Sequence, residues 1–259
     1  MKKALIRRPS PRISEGIVTH IERQPVDYGL AREQWAGYVR ALESAGWETI
    51  EVPGGEEFPD GAFVEDTMVV HRNVAVIARP GADERRGEVP EAEKAVTSLG
   101  YEIRRIEPPG TLDGGDVLKV GDAIYAGAGE RTNPEGIRQL RDAFAPEGAT
   151  VVTVPITKVL HLKSAVTALP DGTVIGYPPL VDDRSVFPRF LDVPEESGSH
   201  VVLLGEDRLL LSADCPESAA LFAGLGYEPV PVDIGEFQKL EGCVTCLSVR
   251  LRSAPGPAF

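Results

Sequence analysis

The feature that most limits the fold of this chain is a recurring unit of two short strands joined by a tight turn, then a helix, then a returning strand. Such a unit cannot cover its own apolar face, so copies must stack on one another. Residues 63–70 and 74–80 flank an Arg72-Asn73 turn, a helix follows over 89–99 with Gly100 as its stop, and 101–106 returns as a strand. The next unit runs 115–120, a Gly121-Asp122 turn, 123–126, a helix from Pro134 capped by Asn133, and a strand over 150–154. A third spans 161–177 around Asp171-Gly172, with a poor helix near 184–190 that Pro188 interrupts. The fourth runs 200–204, Glu206-Asp207 and 208–211, then a helix over 216–225 and a strand over 228–232.

A fifth unit has only its first strand, 243–251, while the N-terminal residues 4–52 supply a strand, a helix over 31–45 and a second strand. That helix carries Trp35, Tyr38, Val39 and Leu42 on one stripe and stops at Gly46. Joining the last unit to the N-terminus closes the ring and leaves no unit unpartnered. The expected architecture is therefore α/β, with five modules around a pseudo-fivefold axis, forming one domain over 1–252 and a frayed tail over 253–259. Residues 10–29 are polar and without period, and read as a lid over one end of the ring.

A formal net charge of −13 opposes a nucleic-acid partner, whose phosphates need a basic patch. No apolar run is long enough to span a bilayer, and Met1 to Arg8 lacks the apolar region of a signal peptide. Three cysteines do not make a disulfide framework, so a cytoplasmic setting is expected. Cys243 and Cys246 are spaced as Cys-x-x-Cys, but in a continuous strand they would face opposite sides, which opposes a redox pair. Cys215 is the only further cysteine, too few for a structural zinc site.

Chemistry-bearing residues fall at equivalent places, the entries to the first strands: Glu65 and Asp66, Asp113 and Asp116, His161, and Cys246. A nucleophile, a base, an orienting carboxylate and further anions would thus meet near the axis. Each has a plainer reading: a buried cysteine, a structural histidine, turn-forming Asp and Gly in Leu112-Asp113-Gly114-Gly115-Asp116, and solvent-facing acids on a strand. Their coincidence at equivalent positions favours the functional reading.

The motifs Pro59-Asp60 with Phe63-Val64-Glu65-Asp66, Arg79-Pro80-Gly81-Ala82 before Arg85-Arg86, Leu112 to Val117, Arg131-Thr132-Asn133, Leu160 to Ser164 and Thr245-Cys246 occur in order along nearly the whole chain. In this the chain resembles the dimethylarginine dimethylaminohydrolase family of the guanidino-group-modifying (pentein) superfamily. The resemblance implies a five-module α/β propeller and hydrolysis of Nω-methylated L-arginine, asymmetric dimethylarginine or monomethylarginine, to L-citrulline and di- or monomethylamine. It makes Cys246 the nucleophile, His161 the general acid and base, and Asp113 the carboxylate that orients His161. Glu65 and Asp66 would hold the guanidinium, Asp60 the α-amino group, and Arg85 and Arg131 the α-carboxylate. Main-chain oxygens of Leu240 and of Ile17 in the lid would complete the substrate contacts.

No cofactor or metal is implied, although zinc as an inhibitor is compatible with a Cys246 and His161 pair. The partner is a small molecule, with neither nucleic acid nor membrane, and the chain acts as a monomer or homodimer. Two other readings remain open at this point: a deiminase of unmethylated arginine or another guanidino amino acid, and a non-catalytic binder on the same scaffold. Retention of Cys246, His161 and Asp113 together disfavours the binder.

Overall fold

In the computed structural model, which describes residues 2–252, the alternating apolar runs pair into five sheets of three strands. Sheet one joins β1 (Lys3–Ile6) and β2 (Glu48–Glu51) to the last strand of the described chain; sheet two holds β3 (Met68–His71), β4 (Val74–Ile77) and β5 (Glu102–Arg105). Sheet three holds β6 (Val117–Val120), β7 (Ala123–Ala128) and β8 (Thr150–Pro155), and sheet four β9 (Val166–Ala168), β10 (Val174–Gly176) and β11 (Phe190–Asp192). Sheet five holds β12 (Val202–Leu203), β13 (Arg208–Ser212) and β14 (Glu228–Val232), and β15 (Val249–Leu251) returns to pair with β1.

Every sheet repeats one rule: its first two strands run antiparallel and its third runs parallel to the second. Met68 opposes Ile77 while Val74 sits beside Glu102, and Lys3 opposes Leu251 while it sits beside Glu48. The parallel step needs a crossover, which α1 (Tyr28–Ser44), α2 (Val89–Ser98), α3 (Pro134–Phe144) and α4 (Pro216–Gly224) supply in four modules. Asn133 caps α3 by accepting from Gly136 N–H at 2.8 Å, with Pro134 at the first helical position. Where Pro188 follows, the crossover is two short 3₁₀ turns, Pro178–Leu180 and Arg184–Val186. The module count and the closure by the N-terminus agree with the sequence reading.

Five apolar clusters hold the ring, and each lies between neighbouring modules. Val69, Val74 and Val76 of the second sheet pack on Ile124, Leu140 and Phe144 of the third module, and Leu5, Val249 and Leu251 pack on Val70, Ala75 and Val96 across the closure. At about 25 cal/mol per Å² of apolar surface, this shared burial makes each module depend on its neighbours. The outermost strands β2 and β5 carry charged, exposed residues such as Glu48, Glu51, Glu102 and Arg105, which discourages edge pairing.

The entries to the first strands depart from expectation. Residues 64–67, 114–116 and 162–164 are not strand but single 3₁₀ turns, and 243–248 is a run of turns that becomes strand only at Val249. The continuous strand read over 243–251 is therefore wrong before Val249, and with it the inference that Cys243 and Cys246 face apart. The residues 253–259, expected to be frayed, lie outside the described residues. Among the described residues no helix is long and apolar enough to cross a membrane.

Candidate active site

A 3₁₀ turn at the mouth of a strand swings consecutive side chains through about a third of a revolution each, so neighbours can serve different centres. Glu65 and Asp66 illustrate this. Asp66 turns toward the axis end where His161 lies, accepting from Gly115 N–H at 2.8 Å and Arg85 Nη1 at 2.6 Å. Glu65 is held from the other side, its Oε1 accepting from Lys163 Nζ and Arg250 Nη2, both at 2.7 Å. Its Oε2 is buried without a partner, an acceptor position left open.

His161 is buried and pairs Nε2 with Asp113 Oδ2 at 2.9 Å, which leaves Nδ1 facing Asp66 Oδ1 at 3.9 Å. Such closeness requires the two glycines after Asp113. A Cβ on Gly115 would stand 2.6 Å from His161 Nδ1 and 2.7 Å from Asp66 Oδ1, and one on Gly114 would overlap the main-chain oxygen of Glu65. The Asp-Gly-Gly-Asp stretch thus serves close approach and not merely a turn. Gly81 N–H donates to Asp113 Oδ1 at 2.9 Å, and Thr132 Oγ1 joins Asp113 N–H to Asp116 Oδ2.

Burial alone would lower the His161 pKa, but the charges of Asp66 and Asp116 and the contact with Asp113 outweigh it and raise it to about 9. Asp66 answers in kind: burial opposes its charge, but His161 and Arg85 carry it down to about 2. Asp116, buried and with less compensation, is raised to about 6. The imidazole is therefore a cation at neutral pH, suited to giving a proton.

Cys246 is fixed at the same centre by its carbonyl, which accepts from Glu65 N–H at 3.1 Å. Cys246 N–H donates to Cys243 O at 3.1 Å, and this turn brings the two sulfurs to 3.3 Å. The Cys243 sulfur, burial, and the carboxylates of Glu65 and Asp66 hold the Cys246 thiol well above its ordinary value. Cys243, read as facing away from Cys246, is instead in contact with the candidate nucleophile. The Cys-x-x-Cys spacing was its only signal, hidden by the assumption of a continuous strand. A disulfide needs sulfurs near 2.05 Å, so about 1.3 Å of approach separates the pair from bonding. Mild diamide oxidation is expected to join them, with loss of two hydrogens by mass and dithiothreitol-reversible loss of activity. Equal, reversible inactivation of Cys243→Ala would contradict that pairing.

Arg85 and Arg131 are both buried. Arg85 is largely committed: Nε and Nη2 hold Glu88, Nη2 also donates to the carbonyls of Asp60 and Phe63, and Nη1 holds Asp66, leaving one Nη1 hydrogen free. Arg131 Nη1 lies 3.9 Å from Asp113 Oδ2. Burial raises Asp60, whose two oxygens both accept from Ile17 N–H at 3.1 Å. Ile17 is half-buried in the segment read as a lid, which is strapped down by Glu241: its oxygens accept from Thr19 N–H at 2.6 Å and His20 N–H at 2.8 Å. Leu240 is buried beside that latch and against Gly16. Among the described residues, the trio close enough to share a metal ion is Asp66, Asp113 and His161, without Cys246.

A five-module α/β ring with cysteine, histidine and carboxylates at one end of its axis defines a protein of the pentein fold class. The arginine deiminase family pattern matches residues 90–203. The chain is 66% identical over 251 residues to N(G),N(G)-dimethylarginine dimethylaminohydrolase of Streptomyces coelicolor, covering 97% of each. It is 34% identical over 254 residues to the protein of the same name from Pseudomonas aeruginosa, covering 96% of this chain and 99% of that one. The structure of a Pseudomonas aeruginosa cysteine-to-serine mutant complexed with citrulline superposes with a TM-score of 0.89 at 33% identity, over 96% of this chain and 98% of that one. The chain belongs to the dimethylarginine dimethylaminohydrolase family.

Proposed function

We propose that this chain hydrolyses Nω-methylated L-arginine to L-citrulline and di- or monomethylamine through a covalent intermediate on Cys246. The observation that carries the reading is the grouping of Cys246, a carboxylate-held imidazolium and two buried carboxylates, one with an open oxygen. A guanidinium carbon is a weak electrophile, so it must be held in a planar fork at contact distance from sulfur. Asp66 and the open Oε2 of Glu65 suit that fork. Asp60 takes the α-amino group, Arg131 and the free Nη1 hydrogen of Arg85 take the α-carboxylate, and the main-chain oxygens of Leu240 and Ile17 complete the contacts.

With only the protein's own charges around it, the thiol is held up by Cys243, burial and the carboxylates. A bound cation offsets those carboxylates, so the thiol gives its proton to solvent and attacks as the thiolate while His161 keeps its own. Attack of Cys246 Sγ on the guanidinium carbon gives a tetrahedral adduct, and His161 gives its Nδ1 proton to the departing amine, since Nε2 is engaged by Asp113. An amidino-thioether remains. His161 then takes a proton from water, hydroxide attacks the same carbon, and collapse releases citrulline and the thiol. None of these steps calls on a cofactor. Residues 1–252 act as a single catalytic domain, as a monomer or homodimer in the cytoplasm, on a small-molecule substrate.

The test is citrulline formation with asymmetric dimethylarginine, monomethylarginine, arginine and agmatine side by side. Turnover of the methylated substrates is expected, with Cys246→Ser reduced to background. Preference for plain arginine would move the activity to a deiminase with the same residues, and full activity of Cys246→Ser would end the covalent reading.

A further inference from the structure

Behind the catalytic end, the ring axis opens into a cavity of about 420 Å³ lined by the first strand of every module: β3, β6, β9, β12 and β15. Glu65, Gly114, Lys163 and Thr245 form its floor, whereas Cys246, His161 and Asp113 do not line it. We propose that this cavity is a binding site for a small polyvalent oxyanion, separate from the catalytic trio and meeting the substrate site only at Glu65.

The charge count carries the argument. Arg72, Lys119, Lys163, Arg250 and Arg252 line the cavity, and Glu65 is the only carboxylate that does. Glu65 Oε1 is shared by Lys163 and Arg250, and Arg72 is paired outside the lining with Asp122 at 2.9 Å. With every cation protonated, five cations against Glu65 and Asp122 leave three positive charges uncompensated. Lys119 donates to the carbonyl of Val70, and Arg252 to the carbonyl of Leu203 at 3.0 Å. Among the described residues neither has a carboxylate within ion-pair distance. His71, also on the wall, has a buried Nε2 without a hydrogen-bond partner, 3.6 Å from Asp122 Oδ1.

Cations lining one cavity repel one another unless an anion joins them, and Arg72, Lys119 and Arg252 also reach solvent, so an anion can enter between them. Lys119, exposed as a residue but with its ammonium drawn in against the Val70 carbonyl, registers that repulsion: desolvation there, then Lys163, Arg252 and Arg250, depress it to about 7. The concentration is the more pointed because the whole chain carries −13. The volume suits inorganic phosphate or a small di- or tricarboxylate, and those two sources share the recognition chemistry of charge-assisted hydrogen bonds to lysine and arginine. A substrate that is itself a guanidinium cation is repelled here.

Isothermal titration of the full chain with inorganic phosphate, and separately with citrate, at constant ionic strength tests the site. Saturable binding of one anion per chain is expected for at least one of the two, and which one binds tells phosphate from carboxylate. Lys119→Met with Arg252→Met should weaken it at least tenfold while turnover of the methylated substrate stays within twofold, and Arg131→Met should leave anion binding unchanged. Should the double variant fail to fold, Lys119→Gln alone should cost about threefold. No saturable heat with either anion overturns the proposal, as does binding unchanged by these variants. Binding lost in Arg131→Met instead would place the anion at the substrate's carboxylate position and overturn it equally.

Discussion

Replacing Arg85 with Met is expected to lower stability by about 3–5 kcal/mol, the cost of removing one partner from a buried ion pair and leaving the other charged. For a chain of this size that is a fall in Tm on the order of 10 °C. Arg85 is the cation of a network closed to solvent: Asp66 at 2.6 Å, Glu88 at 2.8 Å, and the carbonyls of Asp60 and Phe63. Its loss strands two carboxylates and undoes the 3₁₀ turn that aims Glu65 and Asp66. The pH dependence has a definite sign. Asp66 is held down to about 2, so in the wild type it contributes stability that is present above its unfolded value near 4 and lost as pH falls through about 2. The variant forfeits the share of that contribution owed to Arg85 and keeps the share owed to His161, so its deficit is largest near neutrality and narrows below about pH 4. Thermal denaturation at pH 7 and at about pH 2.5 measures both. A deficit under about 1 kcal/mol, or one that does not narrow in acid, would show that Arg85 is not the organising charge. Arg85→Lys should recover part of the loss, since it restores the charge but not the fork.

How much of this was legible in the sequence divides along physical lines. Strand pairing and crossover helices follow from local periodicity, and Asn133 with Pro134, Gly100 and Gly121 mark element ends by chemistry that acts within a few residues. The ring and its closure at β1 and β15 could therefore be read from the repeat alone. The 3₁₀ turns at the strand entries could not, because short stretches such as Val64-Glu65-Asp66-Thr67 and Leu162-Lys163-Ser164 fit the start of a strand equally well. Their formation depends on long-range bonds such as Glu65 N–H to Cys246 O. That one error misplaced Cys243, and it hid the division of labour between Glu65 and Asp66. The residues given no role, Glu88, Thr132, Lys163 and Arg250, act on the candidate site through other side chains. Thr132 and Lys163 lie inside quoted motifs, whereas Glu88 and Arg250 belong to none.

Asp113→Asn is expected to reduce kcat by about 10²–10⁴, the range over which positioned acid–base catalysis operates. The carboxylate does two things to His161. It accepts from Nε2–H at 2.9 Å, which fixes Nδ1 as the face that meets substrate, and it adds to the charges of Asp66 and Asp116 that raise the imidazole to about 9. An amide keeps the shape but removes the charge, and it can present an N–H toward Nε2, favouring the tautomer with the wrong nitrogen protonated. Nitrogen NMR of the imidazole should then show the His161 titration displaced downward from its wild-type position near 9. The same pair bears on stability, with the opposite pH sense to Asp66. A histidine raised in the folded state contributes stability that is full below its unfolded pKa near 6.5 and lost as pH rises through about 9. Wild-type protein should therefore lose stability across that window, and Asp113→Asn should lose less there because less remains to be lost. A variant with kcat within threefold of wild type would remove Asp113 from any orienting role. An unmoved His161 titration beside a large loss of kcat would leave geometry alone as its contribution.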